Sequence, residues 1–245
     1  MSERNRFDSE RTLIANACRI LATRGLVDDI LGHVSMRVSE STALVRSRGS
    51  NERGLKFTVP SDVLEVRLDG LSTAPVGFSF PNELPLHLAT LRANPAINSV
   101  VHAHPPAVVA ITLTKKPLKP IVGAFNIPAL FMARAGIPVH PSSALIRTDA
   151  RAAAMLESMG EHPVCLLRGH GLTAVGKTVQ QAVIAAIHVD KLAKLQLEVL
   201  QAGIDPDPID EDDLSDLPDL GSEFTEGHLW RFYLASLEHD NLLVR

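Results

Sequence analysis

Residues 82–106 hold the densest set of groups able to do chemistry: Asn-Glu-Leu-Pro-Leu-His, a short helical stretch, then Val-Val-His-Ala-His-Pro-Pro. His102 and His104 are alternate residues that follow an apolar pair. On a β-strand over 98–104, period-2 geometry sets both imidazoles on one face. There they can take adjacent corners of one metal ion's coordination sphere. His-x-His alone is equally compatible with two histidines on a surface strand. A metal site needs three or four ligands converging from different elements, and His170 is the natural third. It closes the apolar run Val164-Cys-Leu-Leu-Arg and lies between Gly169 and Gly171, which leave the ring room and allow the backbone an unusual φ. Three imidazoles with open positions suit a divalent ion such as Zn, Mn, Fe or Co.

Glu83 lies one helix upstream of the pair, and three roles are open to it. It can be a fourth ligand, a general acid or base, or a helix-start carboxylate that serves only the dipole. Beside a cation in a partly desolvated pocket a carboxylate suits proton transfer, because burial raises its pKa while the metal lowers it. His33 follows Gly32, whose lack of a side chain suits a close backbone approach to something small. A substrate contact and a hydrogen-bonded turn histidine are both open for His33. His87, one turn after Glu83, is expected to face solvent. His140, His162, His188, His228 and His239 show no partner pattern.

The elements that must position these groups follow from periodicity. An amphipathic helix is expected over residues 9–24, stopped by Gly25. Strands follow over 34–38 and 43–48, then 63–68 with a turn at Asp69-Gly70. Leu84, Leu88 and Leu91 mark one face of a helix over 84–92, with Pro85 in its tolerant first turn. After the His-x-His strand come a helix over 107–114 and several short elements rich in proline and glycine. Thr148 caps a helix over 149–159. A buried strand then delivers Arg168 and His170 at its end. The clearest helix runs over 179–202 and is ended by Gly203. Asp and Pro dominate 204–219, read as a solvated loop or mobile flap. A last helix over 225–238 carries the only Trp and the only Tyr, Trp230 and Tyr233. The hairpin signals favour a sheet with antiparallel pairs and helices packed on it.

Composition narrows the class. The 245 residues suffice for one large domain, and 45% hydrophobic with 21% charged residues is ordinary for a globular chain. A formal charge of −4 gives no general pull toward nucleic acid or an anionic membrane. Apolar runs fall short of a membrane span. The charged N-terminus lacks a signal-peptide core, and Cys18 and Cys165 read as buried free thiols, so the cytoplasm is the expected compartment.

The motifs Gly32-His-Val-Ser-Met-Arg, Asn82-Glu-Leu-Pro-Leu-His, Val101-His-Ala-His-Pro and Arg168-Gly-His-Gly-Leu, then Lys177-Thr-Val-Gln-Gln-Ala, resemble those of the class II aldolase/adducin family. They stand in the family's order, and the similarity covers roughly residues 10–202. It implies an α/β fold, a three-layer α/β/α sandwich with a largely antiparallel central sheet. Residues 1–203 would be the catalytic domain, with the acidic loop and helix of 204–245 part of the same domain. His102, His104 and His170 would hold one divalent ion per subunit, and Glu83 would be the acid/base carboxylate. The family usually forms tetramers with sites at subunit interfaces. Tyr233 is the candidate to reach into a neighbour's site.

The departures from the family pattern redirect the substrate. Sugar-phosphate aldolases of the family carry Asn where this chain has His33, and a hydroxyl pair before the catalytic Glu where it has Pro81 and Asn82. A phosphorylated ketose is therefore a poor fit. The Gly-His-x-Ser-x-Arg form and Asn51-Glu-Arg-Gly-Leu-Lys-Phe-Thr are more similar to the branch of decarboxylases acting on hydroxylated aromatic carboxylates, those of phthalate breakdown above all. That resemblance makes a small aromatic carboxylate the expected substrate. Glu83 or His33 would protonate the ring, Ser35 would touch substrate, and Arg48 or Arg168 would pair with a second carboxylate. An aldolase or lyase acting on a non-phosphorylated hydroxy-keto acid and a non-catalytic metal-binding module are the competing readings.

Overall fold

The computed structural model describes residues 7–245. Helix α1 (Asp8–Thr23) buries a stripe of Ile14, Ala17, Cys18 and Leu21, spaced by three and four, as the periodicity requires. Strands β1 (His33–Arg37) and β2 (Thr42–Arg46) form a hairpin. The expected strand over 43–48 ends at Arg46, and Arg48–Gly49 (β3) leaves the main sheet to pair with β5 (Phe78–Ser79). Between them lies β4 (Val63–Arg67). Then come α2 (Leu84–Ala93), β6 (Ser99–Ala103), α3 (Pro106–Leu113), α4 (Ile127–Arg134), β7 (Val139–His140) and α5 (Asp149–Met159). The chain continues through β8 (Val164–Leu167), β9 (Gly171–Gly176), α6 (Val179–Gln201) and α7 (Glu211–Ser215). It closes with a π-helical stretch, Glu223–Leu229, that runs into α8 (Trp230–His239).

Seven strands form one sheet in the order β4-β2-β1-β6-β9-β8-β7, and every pairing is antiparallel except β7 with β8. Alternation along the strands builds a core on each face. Val34, Leu44, Val101, Leu166 and Ala174 join the side chains of α1, α3, α4, α6 and α8. Ala43, Val45, Val100, Leu167 and Val175 meet α2 and α5 on the other face. This is the expected three-layer α/β/α sandwich. Ile14, Leu44, Leu86, Leu130 and Met155 are among the fully buried side chains, and each removal to Ala would cost about 2–5 kcal/mol. No helix among the described residues is long and apolar enough to cross a membrane.

Three elements depart from the sequence expectation. The stretch 164–172 is two strands joined by a turn, because Gly169 takes a positive φ of 63° and reverses the chain. Helix α4 emerges from the proline- and glycine-rich region, started by Asn126, whose side chain accepts from the Ala129 N–H. The acidic 204–219 segment is docked rather than free. Leu214 is buried, the Ile209 N–H donates to the Pro120 carbonyl at 3.0 Å, and Asp205 pairs with Lys116 and Lys119.

Candidate metal centre

Strand β6 carries His102 opposite His33 of β1, on the sheet face that α2 and α5 cover. His104 follows the strand's last residue, and its backbone N–H donates to the Leu26 carbonyl at 3.1 Å. His170 lies in the β8–β9 turn. Its N–H bonds to the Leu167 carbonyl at 3.0 Å, and Thr112 Oγ1 accepts from the Gly169 N–H at 3.0 Å. Gly171 is required by a close approach, since a Cβ there would stand 2.2 Å from the Ala103 carbonyl oxygen and 2.9 Å from His104 Cδ2. Gly32 does make a close approach, with a φ of 83°, but to Val27, whose Cγ1 would lie 2.5 Å from an added Cβ.

Glu83 is the N-cap residue of α2, yet its side chain makes no cap bond. The carboxylate therefore does not cap the helix. The carboxylate is turned into the site at 3% exposure; Oε1 accepts from the Ile146 N–H at 2.8 Å. Oε2 lies 3.2 Å from His102 Nε2 and 3.6 Å from His170 Nε2. One ligand atom each from Glu83, His102, His104 and His170 falls within 4.8 Å of all the others. The Nε2 atoms of His102 and His104 are 2.8 Å apart, and both ring nitrogens of His170 are buried without a hydrogen-bond partner. Three converging imidazole nitrogens, one of them orphaned, and a carboxylate form a donor set that fits a divalent ion.

The electrostatics agree. Burial, then the neighbouring His102 and His170, push the His104 pKa down to about 3, so the ring stays neutral, the form in which it can ligate. For Glu83, burial pushes the pKa up, but the His102 and His170 imidazoles and the Ile146 N–H outweigh it. The group is held as a carboxylate, well below the usual range.

Around the four lie the other candidates. The His33 ring stacks on His102 with centroids 5.0 Å apart and planes at 24°. Its Nδ1 is 2.7 Å from His87 Nε2, and His87 Nδ1 is 2.6 Å from Ser35 Oγ. His87 is fully buried, against the expectation of solvent. Leu84, His87, Leu88 and Leu91 form one i, i+3, i+4, i+7 stripe, and that spacing is the signal that places it inside. Ser35 is 1% exposed, with its hydroxyl engaged by His87 rather than presented to a ligand. Arg48 sits opposite Ser79 on the small β3–β5 ladder, and Arg168 is exposed beside His170 with its N–H bonded to the His140 carbonyl at 3.1 Å. Among the described residues no hydrogen bond or ion pair ties either guanidinium to the cluster. Tyr233 is not brought to the site: it is 2% exposed, in the core shared by α1 and α6, with the Arg24 guanidinium 5.7 Å from its ring. A side chain committed to its own core is not offered to a neighbour.

Comparison with known proteins gives this arrangement a context. Residues 12–197 match the Class II Aldolase and Adducin N-terminal domain. The chain is 52% identical to a 3,4-dihydroxyphthalate decarboxylase of Arthrobacter keyseri, over 93% of both chains. It is 48% identical to one from Terrabacter sp. (strain DBF63), over 94% of this chain and 98% of that protein. A third, from Rhodococcus jostii (strain RHA1), is 43% identical over 94% and 96%. Among solved structures, an aldolase II superfamily protein from Pseudomonas syringae superposes with a TM-score of 0.81 over 98% of this chain and 96% of its own, at 18% identity. That likeness speaks for the fold alone.

Proposed function

Since the chain belongs to the class II aldolase and adducin family, we propose that it is a divalent-metal-dependent, non-oxidative decarboxylase of 3,4-dihydroxyphthalate, a carboxy-lyase of phthalate catabolism. The observation that carries this reading is the identity of 43–52% to three such decarboxylases over more than nine-tenths of their length. The Glu83–His102–His104–His170 cluster adds the chemistry.

The carboxylate lost is the one at ring position 2, flanked by the hydroxyl at position 3. Glu83, held as a carboxylate, takes the proton of that hydroxyl. Electron density from the oxygen lets the ring carbon bearing the carboxylate accept a proton, delivered by Glu83 or by His33 beside it. The carbon–carbon bond then breaks, carbon dioxide leaves, and the electron pair returns to the ring and the oxygen, which takes up a proton from solvent to give 3,4-dihydroxybenzoate. His102, His104 and His170 would hold a divalent ion, which when bound would supply Lewis-acid stabilisation of developing negative charge. The second carboxylate of the substrate pairs with Arg48 or Arg168, whose planar forks suit bidentate contact.

One ion of zinc, manganese, iron or cobalt serves each subunit. Residues 1–203 are the catalytic domain, completed by 204–245. The enzyme works as a homotetramer in the cytoplasm, on a small aromatic carboxylate and without nucleic-acid or membrane partners. Stoichiometric carbon dioxide release from 3,4-dihydroxyphthalate, abolished by a chelator, is the expected result. Pyruvate or aldehyde formed from hydroxy-keto acids, with no carbon dioxide from the phthalate, would replace this reading with an aldolase.

A further inference from the structure

His33, His87 and Ser35 form a buried hydrogen-bonded chain leading away from the metal cluster. Ser35 Oγ is 2.6 Å from His87 Nδ1, and His87 Nε2 is 2.7 Å from His33 Nδ1. The exposures of the three residues are 1%, 0% and 5% for Ser35, His87 and His33. A neutral imidazole has one N–H and one bare nitrogen, so such a chain can run in only two directions. In the first, Ser35 donates to His87, His87 donates to His33, and the His33 proton sits on Nε2. In the second, every donor is reversed and His33 Nε2 is bare.

The serine hydroxyl decides between them. Among the described residues His87 Nδ1 is the one side-chain or backbone partner of Ser35 Oγ. If Ser35 accepted from His87, its own hydroxyl hydrogen would be buried without an acceptor, which is unfavourable. The first direction leaves no orphan.

We propose that Ser35 and His87 are positioning residues that fix His33 in its Nε2–H tautomer, making it a hydrogen-bond donor to an anionic or carbonyl oxygen of the substrate rather than a base. This rests on the decarboxylase reading for the identity of the substrate, while the tautomer itself is a property of the protein alone. Ser35 then acts on the substrate through two imidazoles. His33 takes the part of a neutral donor that steadies charge growing on oxygen, which decides between the two proton donors in favour of Glu83.

The test is a nitrogen-15 spectrum of histidine-labelled, zinc-loaded enzyme without substrate, with His33 assigned by its loss in His33→Gln. A protonated Nε2 and a bare Nδ1 on His33 are expected. Ser35→Ala should convert His33 to a tautomer mixture and lower kcat about tenfold, with zinc content unchanged. His87→Leu should lower kcat further, and His87→Gln, whose amide can still donate to His33, should recover most of it. A protonated Nδ1 on His33 in the parent enzyme, or an unchanged His33 spectrum in Ser35→Ala, overturns the proposal even if carbon dioxide is released normally. The expected spectrum, in an enzyme that releases no carbon dioxide from 3,4-dihydroxyphthalate, upholds the tautomer and overturns the substrate reading instead.

Discussion

Glu83 and Ile146 are joined by a hydrogen bond across 63 residues of chain: the Ile146 N–H donates to Oε1 at 2.8 Å, leaving Oε2 toward His102 and His170. A backbone donor pins one oxygen of the carboxylate and so orients the other. The pinned carboxylate is thus held in one orientation rather than rotating freely.

Glu83→Gln is therefore expected to lower kcat by about 10²–10⁴-fold, the usual contribution of a positioned acid/base group. The amide keeps the size of the side chain and, through its oxygen, the bond from Ile146. Metal content should stay near one ion per chain, because three histidines remain. Full turnover in this variant, measured as carbon dioxide release, would remove Glu83 from the mechanism.

Removing the metal should abolish activity without unfolding the protein, since the cores on both sheet faces are built from apolar side chains and include none of the four cluster residues. Chelated enzyme should keep its far-ultraviolet circular dichroism and show a lowered Tm. At a hundred-fold excess of metal over Kd the difference amounts to about 2.7 kcal/mol. Return of zinc, manganese, iron or cobalt, one at a time, should restore carbon dioxide release and rank the four. Loss of the dichroism on chelation would make the ion structural instead.

Gly171→Ala should damage the site from outside the ligand set. The added methyl would meet the Ala103 carbonyl at 2.2 Å and His104 Cδ2 at 2.9 Å, so β6 and β9 must part or His104 must shift. A loss of about 1–3 kcal/mol in urea unfolding is expected, with metal affinity reduced about tenfold or more. Gly123→Ala serves as the control: its methyl has Ile209 Cδ1 at 3.9 Å as its neighbour, and both quantities should hold.

Acid should destabilise the fold through His188, a buried ring on α6 whose two nitrogens have no hydrogen-bond partner. Burial, helped by the nearby positive Lys191, pushes its pKa down to about 4 from 6.5. The unfolded chain therefore binds the proton first. The stability this neutral ring contributes is complete above about pH 6.5 and is lost as the pH falls toward about 4, up to about 3 kcal/mol in all. In His188→Leu that share of the pH dependence should vanish, read as a shallower fall in urea midpoint between pH 7 and pH 4. Parallel profiles for the two proteins would show that the ring does not carry the effect.

Much of this site was legible in the sequence because its signals are short and geometric. His102-x-His104 needs only a strand to put two rings on one side. His170 is expected at a strand's end, and the structure brings it to His102 and His104 from a different position. It stands in a turn, because Gly169 reverses the chain and the short stretch after it forms a strand of its own. His87, one turn after Glu83, is expected at the solvent, although its spacing from Leu84 and Leu91 puts it on the apolar stripe, where it is buried. The family resemblance makes Tyr233 a candidate for a neighbour's site, while its spacing with Trp230 and Leu237 marks a buried helix face. In both cases periodicity carries the information about burial. The Glu83–Ile146 bond left no sequence signal, since a backbone donor 63 residues away has no identity to read.

The pairing of β6 with β9 has a consequence for the order in which the enzyme is assembled. It joins His102 to Thr173 across some seventy residues, and His170 reaches the other ligands only once that ladder has closed. Before then a nascent chain offers the ion little more than His102 and His104, a weak two-point grip. Long-range pairing of this kind comes late, after the loop entropy has been overcome. Binding of an ion at the Glu83–His102–His104–His170 cluster is therefore expected to follow folding, selecting a finished sheet instead of templating one. Refolding should run at the same rate with or without it, and a cell short of metal would accumulate an intact apoenzyme ready to be charged.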